Sequence, residues 1–188
     1  QALLAGDALQ ALAFELLTPG DGSVPEAMQA VLCRLLARAA GSQGMAGGQA
    51  IDLASVGKPL NESELRAMHR LKTGALLQAS VRMGAACGGA VPQAARAALD
   101  DYGAAIGLAF QVVDDILDVT ADSALLGKTA GKDAAADKPT YVSLLGLRAS
   151  QAFADELHAQ AHRALDASGL HQPERLRALA DMVVKRNN

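Results

Sequence analysis

Apolar residues recur every three to four positions along almost the whole chain, and the strict alternation of a strand is nearly absent. The pattern predicts an all-α protein. A first helix covers about residues 2–17 and stops before Pro19-Gly20. Ser23-Val24-Pro25-Glu26 opens the second, with Ser23 as cap, Pro25 in the first turn and Glu26 closing a capping box. Gly41 ends it. The third spans about residues 42–54 and carries Gly44, Gly47 and Gly48, which weaken a helix and imply that another backbone comes close. After Gly57-Lys58-Pro59, Asn61 caps a helix that runs to about Cys87, where Gly88-Gly89 stops it. The next begins at Pro92 and reaches about Val119. A polar loop follows over 120–138, then helices at about 139–167 and 173–186. Neither a repeat nor a linker interrupts the series, so residues 1–188 read as one domain.

Composition narrows the class. Of the 188 residues, 51% are hydrophobic and only 3% aromatic, so the core is built from Ala and Leu. A net charge of −3 implies no basic face, and nucleic acid is excluded as a partner. The longest apolar run falls short of a membrane span, and no signal peptide opens the chain. Cys33 and Cys87 sit in apolar helical patterns and read as buried small hydrophobes, which points to the reducing cytoplasm. His69, His158, His162 and His171 lack metal-ligand spacing with nearby carboxylates and read as surface residues.

The chemistry concentrates in Phe110-Gln111-Val112-Val113-Asp114-Asp115-Ile116-Leu117-Asp118. Asp114 and Asp118, four apart, share a helix face. Asp115 stands one step round, and Gln111 lies one turn before. Like charges at this spacing repel, Asp is a poor helix former, and the C-terminal end of a helix dipole disfavours anions. A cation offsets all three penalties, and hard oxygens suit Mg²⁺ shared with substrate phosphates. The following loop holds Gly127-Lys128, Gly131-Lys132-Asp133 and Lys138, a set of point charges for phosphate oxygens. Lys72-Thr73-Gly74 interrupts a helix with two weak formers, which permits a kink that turns Lys72 and Thr73 to a shared cavity. Gln49 and Asp52, three apart, share a face after Gly47-Gly48.

Taken in order, these segments resemble the trans-prenyl diphosphate synthases, with the nearest likeness to bacterial farnesyl diphosphate synthases. The match runs through Gly6-Asp7-Ala8-Leu9-Gln10, Gly47-Gly48-Gln49 with Asp52, Lys72-Thr73-Gly74, Phe110 to Asp118, Gly127-Lys128 with Gly131-Lys132-Asp133, Lys138 with Thr140-Tyr141, and Leu144-Leu145-Gly146. The resemblance implies an isoprenoid-synthase-type helical bundle around a central cavity, a homodimer, and Mg²⁺ as cofactor. The substrates would be an allylic diphosphate and isopentenyl diphosphate. Asp114, Asp115 and Asp118 would be the second aspartate-rich metal motif, with Asp114 a direct ligand. Lys72, Lys128 and Lys138 would stabilise the departing diphosphate. Thr73 and Gln111 would line the cavity near the allylic cation. The resemblance also implies that this is the C-terminal two-thirds of a family chain. The first aspartate-rich motif then precedes Gln1, and the 188-residue chain alone is expected to be inactive. A terpene cyclase and a non-catalytic partner subunit of an active synthase are the rival readings.

Overall fold

The computed structural model describes residues 1–120 and 139–186. Among them all regular structure is helical: α1 Ala2–Leu17, α2 Glu26–Ala40, α3 Met45–Ala54, α4 Glu62–His69, a π turn at Arg70–Gly74, α5 Ala75–Cys87, α6 Gln93–Thr120, α7 Tyr141–Leu145, α8 Leu147–Ser168 and α9 Glu174–Lys185. The predicted loop at 120–138, with Lys128 and Lys138, lies outside the described residues apart from Thr120, which ends α6.

The axis of the bundle is α6, 28 residues long and therefore about 42 Å. Its buried positions include Ala95, Ala98, Gly103, Ala105, Gly107 and Ala109. Such small side chains let neighbours approach on several sides, so α5, the π turn, α8 and α9 all pack on this one helix. Tyr102 and Tyr141 supply the bulk that alanines lack, and both are fully buried. Tyr102 donates its hydroxyl hydrogen to Leu176 O at 2.7 Å, which satisfies the polar end of a buried ring and pins α9 to α6.

Local signals set several helix ends as expected. Asn61 accepts from Glu64 N at 3.0 Å, and Glu64 Oε2 accepts from Asn61 N at 2.9 Å, a complete capping box. Thr140 and Ser143 form a second one at the start of α7. Three expectations are corrected. Ser23 does not cap α2: its backbone N–H donates to Asp21 Oδ1 at 2.9 Å, because an Asp two residues earlier competes for that group in a local turn. The helix expected over 139–167 is two helices, since Gly146 at φ 82° adopts a conformation that breaks the run. Cys33 is only half-buried and Cys87 is exposed, because the helix faces that carry them are not wholly covered.

Helix α1 packs on α2 and leaves Leu3, Leu4, Leu9 and Leu16 facing outward. No helix among the described residues is long and apolar enough to cross a membrane.

Candidate active site

The segment Arg70-Leu71-Lys72-Thr73-Gly74 forms a π turn inside the continuous helical run from Glu62 to Cys87. A π turn inserts extra backbone into a helix and recurs at functional sites. It bulges against α3 on one side and α6 on the other. Two glycines make room for it. A Cβ on Gly48 would stand 2.2 Å from Lys72 N, and one on Gly107 would stand 2.7 Å from Gly74 Cα. Of the glycines that implied a close approach, Gly48 is the one that seats the lysine-bearing turn, while Gly44 and Gly47 lie against the backbone of Ala39 and Ser42.

Each polar side chain of the turn then meets a partner from another helix. Lys72 Nζ lies 2.8 Å from Asp52 Oδ2, whose side chain is only 7% exposed. A nearly buried carboxylate fixes the ammonium where a free lysine would wander. Thr73 donates its hydroxyl hydrogen to Gln111 Oε1 at 3.1 Å. Gln111 Nε2 in turn donates to Asp115 Oδ1 at 3.1 Å, and Asp115 Oδ2 accepts from Tyr141 N at 2.8 Å. This chain of hydrogen bonds joins the turn, α6 and the start of α7. It also orients the amide of Gln111, whose O and N are thereby assigned.

The aspartates of α6 divide between two environments. Asp115 is 2% exposed and points into the protein, where Gln111 and Tyr141 bond it. Of the three aspartates expected as the metal motif, it is the buried one. One step along a helix is a rotation of about 100°, enough to turn it into the core. Asp114 has a 51% exposed side chain, and Asp118 is half-buried one turn further on. Arg186, just past α9, stands 3.6 Å from Asp114 Oδ1, donates to Phe110 O at 2.7 Å and lies over the Phe110 ring. A cation already faces this helix end, where the dipole leaves the carboxylates unfavourably placed. Hard oxygen donors at a partly open rim fit Mg²⁺, which takes its other ligands from water and phosphate. Asp114 and Asp118 would hold it.

His69 sits behind the turn. It is 4% exposed, its ring stacks on Tyr141, and neither ring nitrogen has a bonding partner among the described residues. The expectation of a surface histidine is corrected here, because its helix face closes on α7. Burial, then the charge of Lys72, pushes its pKa from 6.5 down to about 4. The folded protein thus resists a proton that the unfolded chain accepts. Stability is complete above pH 6.5 and falls as the pH approaches 4. Relative to His69→Phe, which keeps the stacked ring, the protein loses about 2 kcal/mol between pH 6.5 and roughly 4.5. Urea unfolding across that range checks this, and parallel profiles for the two proteins would disprove it.

Of the residues that sequence reasoning singled out, the structure joins Thr73, Gln111 and Asp115 in one hydrogen-bonded chain, pairs Lys72 of the same turn with Asp52, and leaves Asp114 exposed and Asp118 half-buried further along α6. Lys128 and Lys138 lie outside the described residues. Sequence reasoning gave Arg186 no role, and it set Asp52 on one face with Gln49 but named no partner for it. The pairing of Asp52 with Lys72 joins residues 20 apart and carries no local signature.

An all-α bundle that seats a buttressed lysine turn against an aspartate-rich helix end defines the isoprenoid-synthase class of fold. The polyprenyl synthetase family model matches residues 1–172, and the chain belongs to that family. Farnesyl diphosphate synthase of Escherichia coli is 45% identical over 189 residues, covering 99% of this chain and 63% of that protein. A Bradyrhizobium diazoefficiens protein named a probable farnesyl diphosphate synthase is 50% identical over 193 residues, covering 99% of this chain and 55% of that one. The crystal structure of a Helicobacter pylori geranyltransferase complexed with magnesium and isoprenyl diphosphate superposes with a TM-score of 0.86 at 36% identity. It covers 98% of this chain and 61% of that one. The chain thus spans between 55% and 63% of the length of these relatives.

Proposed function

We propose that the protein to which this chain belongs is a Mg²⁺-dependent prenyltransferase. It condenses an allylic diphosphate with isopentenyl diphosphate to give a short-chain product, farnesyl diphosphate or its geranyl or geranylgeranyl homologue. The observation that carries the reading is the 3.1 Å bond from Thr73 to Gln111, which holds the lysine-bearing turn against the aspartate-rich helix. A diphosphate needs both, a fixed positive charge and a carboxylate-held metal, on its two sides. The names of the relatives support a synthase over a cyclase or a non-catalytic subunit.

Asp114 and Asp118 would hold Mg²⁺, which would neutralise diphosphate charge and make it a better leaving group. Lys72 adds a positive charge held in place by Asp52, aimed at charge that grows as the C–O bond breaks. Thr73 and Gln111 offer oriented oxygen dipoles to the allylic cation, and Asp115 holds Gln111 in register. Lys128 and Lys138, which the resemblance assigns to the departing diphosphate, would add positive charge to it. Ala- and Leu-rich helices keep water from the cation until isopentenyl diphosphate attacks and a proton leaves. We further propose a cytoplasmic homodimer as the working form.

The test is an assay of the complete gene product with geranyl diphosphate, isopentenyl diphosphate and Mg²⁺. A chain-extended diphosphate is expected, and chelation of the metal abolishes it. A cyclic hydrocarbon made without isopentenyl diphosphate, or no turnover, would refute the synthase reading.

A further inference from the structure

A cluster remote in role from this chemistry joins α8 to α9. His158 and His162 are one turn apart on α8, and Asp181 comes from α9. His158 Nε2 lies 2.6 Å from Asp181 Oδ1, His162 Nε2 lies 3.0 Å from the same oxygen, and the two Nε2 atoms are 3.1 Å apart. The earlier reading of both histidines as surface residues without a carboxylate partner is thereby corrected. Their side chains are 25% and 26% exposed, and the carboxylate is 19 residues from His162 in sequence.

Without an ion, both rings can donate to Asp181 only by crowding two N–H donors 3.1 Å apart on one oxygen. If both Nε2 atoms carry hydrogen, both donate to Asp181, and the edge between the rings sets donor against donor. If one lacks hydrogen, its lone pair faces the carboxylate oxygen. A single cation bound to all three atoms would take the place of those crowded hydrogens. Ligand atoms on one face of a tetrahedral ion with bonds of 2.0–2.1 Å stand about 3.3 Å apart; two edges here, 3.0 and 3.1 Å, lie near that spacing, and the 2.6 Å edge from His158 to Asp181 would open on binding. Two imidazoles and a carboxylate are the donor set of zinc-class ions, not of Mg²⁺.

We infer that His158, His162 and Asp181 form a binding site for a divalent transition-metal ion of the zinc class, which staples α9 to α8. Water completes the fourth position. Lys185 Nζ stands 3.5 Å from Asp181 Oδ2 and leaves Oδ1 to the ion. Arg177 is the competing group. Its Nη1 lies 3.2 Å from His162 Nδ1, and its Nη2 bonds Asp166. Metal on Nε2 requires the His162 proton to sit on Nδ1, so the guanidinium releases that nitrogen and keeps Asp166. Helix α9 leads directly into Arg186, which faces Asp114. Occupancy therefore fixes the element that carries this cation to the aspartate rim.

The test is a Co²⁺ titration of the complete gene product in excess Mg²⁺, read by visible absorption. A tetrahedral-type band saturating near one equivalent is expected. It is lost, with affinity down at least about tenfold, in His158→Gln and in His162→Gln. It persists in Asp114→Asn, which removes the proposed magnesium ligand instead. Absence of the band in the unmodified protein, its retention in either histidine variant, or its loss in Asp114→Asn overturns the site. Circular dichroism establishes that the variants fold. Should one fail, ring-nitrogen NMR of the unmodified protein decides. Zn²⁺ that shifts the Nε2 signals of two histidines supports the site, and unshifted signals sink it. None of these readouts requires prenyl transfer, so the site and the proposed activity stand or fall separately.

Discussion

Replacing Asp114 by asparagine lowers kcat for the proposed prenyl transfer about 10²–10³-fold and leaves the melting temperature almost unchanged. The kinetic effect follows from removing a metal-held charge that is felt most strongly in the transition state. The small stability effect follows from the surroundings. Asp114 is half exposed, and its contact with Arg186 is a single 3.6 Å pair. Such a pair contributes no more than about 1 kcal/mol. Removing one of two like charges four apart on a helix returns about 0.2–0.5 kcal/mol.

Asp115→Asn differs in that it costs stability as well, although it is the neighbouring residue. Both carboxylate oxygens of Asp115 accept hydrogen bonds, from Gln111 Nε2 and from Tyr141 N. An amide nitrogen in either place sets donor against donor at a buried position. The expected loss of stability is about 1–3 kcal/mol. Steady-state kinetics and thermal melts on the two variants separate the roles. Full activity in Asp114→Asn would remove Asp114 from the metal site. A large stability loss there would show that its contacts are structural.

Gly48→Ala is expected to destabilise the protein by about 3 kcal/mol or more. Propensity argues the other way, since alanine improves a helix interior by about 1 kcal/mol over glycine. The steric term decides. The added Cβ would lie 2.2 Å from Lys72 N, 2.5 Å from Lys72 Cα and 2.8 Å from Leu71 C. All three are backbone atoms of a packed turn, and no side chain can rotate out of the way. Relief comes only by driving α3 from the π turn, which also breaks the bond from Lys72 to Asp52. Gly84→Ala in α5 is the control, because its Cβ would meet nothing within 4 Å. There propensity acts alone, and a gain of about 0.5–1 kcal/mol is expected. Urea unfolding of the two variants checks the contrast. Equal shifts would show that α3 does not rest on the turn.

What the sequence by itself determined is what depends on neighbours in the chain. The helical period, the Asn61–Glu64 capping box, the breaks at Pro and Gly, and the shared face of Asp114 and Asp118 all follow from spacings of a few residues. The resemblance carried by the ordered motifs supplied the family as well, since motif order is itself a property of the sequence. The tertiary structure decided which side of each helix meets another. Asp115 became a buried anchor because Tyr141, 26 residues on, brings its backbone N–H to that face. Lys72 acquired a fixed direction from Asp52, and His158 and His162 acquired a carboxylate from a different helix. Helical periodicity places a residue around its own axis. It does not say which helix will lie against that side, because that is set by the packing of the small-residue surface of α6 against all its neighbours at once.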